Sequence, residues 1–64
     1  MYEAYKTAYG WHIRKPDNRF PNRWLYISAT HKDGTYDFST DHLYAKSFSE
    51  ATAKKHLEAL NKES

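Results

Sequence analysis

Four histidines, at positions 12, 31, 42 and 56, and an acidic series at Asp33, Asp37 and Asp41 are the residues of this chain best suited to chemistry. Imidazole and carboxylate together could hold a metal ion or move protons. Their spacing argues against both. No two histidines stand at the short separation common in zinc sites, and the chain has no cysteine to complete such a set. The aspartates recur every fourth residue but straddle a turn and a strand, unlike the ligand order of a calcium loop. Two glycines in the whole chain leave no material for a phosphate-cradling loop. No local pattern activates a serine, and 64 residues struggle to enclose a water-excluding pocket. The expectation is a protein that is not an enzyme and uses neither cofactor nor metal.

Binding chemistry is better represented. Arg14, Lys15, Arg19, Phe20, Arg23, Trp24 and Tyr26 crowd cations and aromatic rings into one stretch. Arginine offers a planar fork for phosphate or carboxylate, and Arg, Tyr and Trp are the residues enriched at interface hot spots. Six Tyr, three Phe and two Trp exceed what one helix and a small sheet can hide, so some rings should remain available to a partner. The net charge of +2 is unevenly divided: residues 1–32 carry +4 and residues 33–64 carry −2.

These residues need a scaffold. The alternation of Tyr5, Thr7, Tyr9, Trp11 and Ile13 with Lys6, Ala8, Gly10, His12 and Arg14 predicts one half-buried strand, its aromatic side inward. Residues 15–23, with two prolines and two asparagines, predict a long loop. Residues 24–30 predict a second strand with Leu25, Ile27 and Ala29 on one face and Trp24, Tyr26 and Ser28 on the other. Asp33-Gly34 marks a hairpin turn into a third strand, residues 35–39, which puts Tyr36 and Phe38 together. Residues 39–47 are ambiguous, with Leu43 and Tyr44 as an apolar anchor and room for a short extra extended segment. A helix is predicted over about 50–61, capped by Ser49 or Ser47, stapled by Phe48, and buried along Ala53, His56, Leu57 and Leu60. The expected fold is α+β: a three-stranded antiparallel sheet packed against one C-terminal helix, a single β-β-β-α domain over residues 1–64.

The segment from Tyr36 to Leu57, with Ala45-Lys46-Ser47-Phe48 leading into a helix that opens Ser49-Glu50-Ala51-Thr52-Ala53, resembles small phage and prophage accessory proteins. The order of the Trp11 strand, the Asp33-Gly34 turn and the Phe48–Leu57 helix entry is also similar to the arm-type DNA-binding domains of phage and transposon integrases. The first resemblance implies a small protein that binds and modulates, by inhibition, a host bacterial protein such as a defence, transcription or replication enzyme. The second implies a sheet laid in the major groove of duplex DNA, with Lys6 and His12 joining the basic loop. A third strand bearing Asp33, Asp37 and Asp41 opposes phosphate in sign, so a protein partner is the leading expectation. No apolar stretch is long enough to cross a membrane and no signal-peptide core follows Met1, so a cytoplasmic protein of the bacterial host cell is expected. A thin core leaves both monomer and homodimer open.

Overall fold

The structure, a computed structural model, describes residues 1–63. Four antiparallel strands lie in the order β1-β2-β3-β4: β1 (Glu3–Thr7), β2 (Gly10–Pro16), β3 (Trp24–Thr30) and β4 (Tyr36–Ser39). A short 3-10 helix, His42–Tyr44, and the C-terminal helix α1 (Glu50–Glu63) follow. The class is the expected α+β sheet with one C-terminal helix, but the sheet has four strands, not three.

The extra strand comes from a reversal hidden inside the first alternating run. Thr7 pairs with Gly10 across Ala8 and Tyr9, so residues 3–7 fold back on 10–14. Gly10 permits this by adopting φ 120°, a conformation that side chains disfavour. It also lets the turn lie tight against the chain entering α1: a Cβ here would stand 2.6 Å from Ser47 Oγ and 3.1 Å from the Phe48 carbonyl. Residues paired across an antiparallel hairpin share a face, so the reversal inverts the parity of the alternation. Tyr5 pairs with His12 and Lys6 with Trp11. Tyr5 and Thr7 therefore face away from Trp11 and Ile13, and Lys6 and His12 lie on opposite faces.

The core sits on the helix side. Ile13 and Ile27 are wholly buried, with Phe48 and Ala53 against them and Tyr2, Trp11, Tyr36, Leu57 and Leu60 around them. Ser49 caps α1 by accepting the Thr52 N–H, and Phe48 and Ala53, flanking that cap, meet in the core as a hydrophobic staple. At the other end Asn61 holds Tyr2 by two hydrogen bonds, from the Tyr2 N–H and to the Tyr2 carbonyl. The helix is thereby fastened to the first residues of the sheet.

The sheet is not continuous. Strands β2 and β3 pair only over Arg14–Pro16 and Trp24–Tyr26. Beyond that point the connector to α1 lies between them: the Lys46 N–H reaches the Ile27 carbonyl at 2.8 Å, and Phe48 bridges to Trp11 in both directions. This is the extended segment that residues 39–47 left room for, displaced to 46–48. A β-bulge between Ile27 and Ala29 shifts β3 against β4, so that Ala29 pairs with Asp37 while Thr30 pairs with Tyr36. Because Tyr36 packs in the core, Ala29 and Asp37 take the opposite face, which breaks the predicted Leu25, Ile27, Ala29 alignment.

Candidate functional site

The helix covers one face of the sheet and leaves the other open. Antiparallel pairing carries a single row across all four strands of this open face: Glu3, Arg14, Tyr26 and Ser39. Tyr5 and His12 form the next row, and Trp24 stands beside Arg14. The chain after β4 returns over this face, and with the β1–β2 turn it walls a groove of about 740 Å³. Tyr5, His12, Arg14 and Tyr26 line it together with Thr7, Tyr9, His42, Leu43, Ala45 and Ser47. At its rim Tyr9 is 85% exposed and Leu43 78%, with the exposed ring of Tyr44 next in the chain.

Arg14 anchors the row. Its guanidinium carbon lies 3.9 Å from the Trp24 ring centre and 4.7 Å from that of Tyr5, a cation–π sandwich. Nε and Nη2 both reach Glu3 Oε1 at 2.8 Å. Tyr5 and Tyr26 meet edge to face, and Tyr26 in turn meets His42. Burial, and after it the neighbouring Tyr26, push the Tyr5 hydroxyl above its ordinary pKa, against the pull of Arg14, so it remains a hydrogen-bond donor.

His12, 6% exposed, locks the floor to the wall. One ring nitrogen, Nδ1, lies 2.9 Å from the Lys46 carbonyl, and Nε2 lies 2.7 Å from Thr7 Oγ1. A carbonyl only accepts, so Nδ1 carries the proton, and in the neutral ring Nε2 accepts from Thr7. Thr7 Oγ1 itself accepts the Tyr9 N–H. Turn, strand and connector are thus held by one hydrogen-bonded chain, and Ser47 Oγ donates to the Tyr9 carbonyl alongside it.

The seven residues singled out in the sequence divide into three groups. Arg14, Trp24 and Tyr26 come together on the open face. Arg19, Phe20 and Arg23 lie in the loop that joins β2 to β3, where the Arg23 guanidinium stacks 4.3 Å from the Phe20 ring. Lys15 joins neither group. Strand β2 runs on to Pro16, so Arg14 and Lys15 are successive strand residues and point to opposite faces. Lys15 sits on the helix side between the rings of Tyr2 and Phe38, 5.1 and 4.7 Å from their centres. Tyr5, Tyr9, His42 and Leu43 also line the groove and were not among the expected contact residues, whereas His12, expected beside Lys6 for a DNA-facing sheet, lines it without Lys6. The one sequence signal for most of them is Gly10, the residue that marks the reversal.

No protein-family model, curated protein or solved structure matches this chain. Among the described residues no three His, Cys, Asp or Glu side chains gather as metal ligands, and no helix is long and apolar enough to cross a membrane. The three aspartates of the C-terminal half each serve a local purpose. Asp33 accepts from the Thr35 backbone and hydroxyl, Asp37 lies 3.1 Å from His31, and Asp41 accepts the Leu43 N–H.

The β2–β3 loop is built around Asp17, whose side chain is almost wholly buried. Its Oδ1 accepts the Arg19 N–H at 3.0 Å and faces Arg19 Nε at 3.4 Å, while the Asp17 N–H reaches the Arg23 carbonyl. The Arg19 backbone bond is the main cause of a carboxyl pKa below the usual range, with the Arg19 and Arg23 charges adding to it against a cost of burial. A pKa lower in the folded than in the unfolded chain contributes stability above the unfolded value, near 3.9, which is lost as pH falls through the folded value. The Thr35 bonds place Asp33 in the same class. Urea midpoints are therefore expected to fall steadily from about pH 4 downward. Asp17→Asn should lower the midpoint at neutral pH and flatten this acid limb, and an unchanged limb would show that Asp17 contributes nothing to it.

Proposed function

We propose that this chain is a small non-enzymatic binding module of the phage accessory type. Its open sheet face engages a host bacterial protein and inhibits it. The observation that carries the reading is the groove: an aromatic floor fixed by the Arg14 sandwich and the His12 hydrogen bonds, under a rim of exposed Tyr9 and Leu43. Exposed apolar side chains grouped around a concavity on a monomer mark an interaction surface. Rings held rigid before binding contribute contact area at little cost in entropy. The β2–β3 loop extends this surface, since Trp24 follows directly on Arg23.

Pull-down from bacterial lysate with three baits tests the proposal. The wild-type chain is expected to capture a protein that is lost from a rim variant, Tyr9→Ser with Leu43→Ser. It is also expected to be lost from a loop variant, Arg19→Ala with Phe20→Ala and Arg23→Ala, all three baits giving the same circular dichroism. A rim variant that captures everything the wild type captures defeats the groove assignment. A loop variant that does so removes the loop from the surface.

Duplex DNA is the second reading. It is favoured by the exposed Arg19 and by the local engagement of the three aspartates, which weakens their repulsion of phosphate. Titration of a labelled duplex at about 50 and 200 mM salt separates the two, because phosphate-driven binding collapses at the higher salt.

A further inference from the structure

We propose that the groove takes an acidic, apolar peptide segment of the partner, and that Arg14 receives one of its carboxylates in place of Glu3. The inference rests on the binding-module reading above and names the chemistry of what is bound.

Charge complementarity is the first argument. The groove lining contains no Asp or Glu, whereas it contains Arg14, two histidines and the hydroxyls of three tyrosines, Thr7 and Ser47. At neutral pH every charge it can bear is positive, and the hydroxyls of Tyr5, Tyr9 and Tyr26 can donate, those of Thr7 and Ser47 being engaged with His12 and the Tyr9 carbonyl. The rest of the surface is apolar, with Leu43 and Ala45 beside the tyrosine rings. A segment with a carboxylate between hydrophobic side chains matches that mixture.

The second argument is the state of Arg14. An arginine fork recognises a carboxylate best through two parallel bonds to its two oxygens. Glu3 does not make that arrangement: Nε and Nη2 converge on Oε1 alone, and Nη1 has no partner among the described residues. Glu3 lies half exposed on the edge strand β1, so its ion pair is a surface pair of small net stability. The Trp24 and Tyr5 rings favour the guanidinium where it stands, independently of Glu3. Arg14 is thus a receptor occupied by an exchangeable ligand of the same chemical class as the one proposed. Nucleic acid fits less well. Arg14 is the one permanently charged group among the described residues lining the groove, which suits a single carboxylate better than a strand of phosphates.

The test is a titration of the ¹⁵N-labelled full chain, followed through the Arg14 Nε–H and Trp24 indole N–H signals. The probes are a short peptide of alternating Asp and Leu, its Asn–Leu counterpart, and oligo-dT. The Asp–Leu peptide is expected to shift both signals. Glu3→Gln should tighten its binding roughly threefold, by removing the competing carboxylate. Arg14→Gln should weaken it about tenfold, with Arg14→Lys in between because a lysine keeps the charge and loses the fork. Equal shifts from both peptides would overturn the carboxylate assignment and leave the groove as an apolar site. Shifts from oligo-dT in place of the peptide would overturn it in favour of nucleic acid. Tightening absent from Glu3→Gln overturns the exchange even where Arg14→Gln fails to fold, and silence from all three probes overturns the proposal outright.

Discussion

Replacing Ile13 by alanine is expected to remove about 3 kcal/mol of stability, enough to leave much of the population unfolded in mild urea. The size of the effect follows from how little core there is. Among the described residues Ile13 and Ile27 are the two fully buried large side chains, and they share one core cluster just beyond the point where β2 and β3 part around the connector. A cavity at that point removes contacts with Phe48 and Ala53 at once and cannot be filled by a shift of either strand, since each is pinned to the connector by backbone hydrogen bonds. Domains hold about 0.05–0.15 kcal/mol of stability per residue, so a chain of this length has roughly 3–10 kcal/mol in all. Urea unfolding followed by the fluorescence of Trp11 and Trp24 measures the loss. Leu43→Ala provides the contrast: Leu43 stands at the groove rim and its removal should cost well under about 1 kcal/mol. Similar midpoints for the two variants would mean that the core does not lie between β2, β3 and the connector.

Gly10→Ala should cost about 2–3 kcal/mol, and Gly34→Ala about 1 kcal/mol. Both glycines have positive φ, 120° and 90°, so both substitutions strain the backbone. Their surroundings separate them. A Cβ on Gly34 meets nothing within 4 Å, because the Asp33-Gly34 turn projects into solvent. A Cβ on Gly10 meets Ser47 Oγ, which could rotate, and the Phe48 carbonyl, which belongs to the bridge with Trp11 and cannot move without breaking it. The expected consequence is local as well as global. Amide exchange at Trp11 and Phe48 should rise in Gly10→Ala beyond what the loss of global stability explains, and Gly34→Ala should leave those amides protected. Equal costs at the two glycines would show that backbone conformation alone governs both. Because Ser47 and Ala45 belong to the same connector, Gly10→Ala should also weaken any ligand that uses the groove, whereas Gly34→Ala should not.

Local patterns in the chain were sufficient for much of the fold. The helix, its Phe48 staple and its buried stripe follow from spacing over a few residues, which is the range over which helical periodicity acts; spacing left Ser49 and Ser47 both open as the cap, and the structure uses Ser49. The hairpin at Asp33-Gly34 and the outward placement of Trp24 and Tyr26 follow from equally short patterns. The first run misled for a physical reason: a two-residue reversal at Ala8 and Tyr9 preserves the period of two in the sequence while exchanging the faces in space. Only the negligible size of Gly10 marked the place.

The candidate groove lay beyond any local pattern. It depends on β2 and β3 parting after three paired residues each and on the connector filling the gap, a contact between residues more than 30 positions apart. The sequence alone determined which side chains were on offer: its arginines, tyrosines and tryptophans. Tertiary structure alone decided which of them act together. It sent Lys15 through the sheet, set Arg14 between Tyr5 and Trp24, and raised Tyr9 and Leu43 into a rim, because pairing across strands assigns each residue a face that its neighbours in sequence cannot reveal.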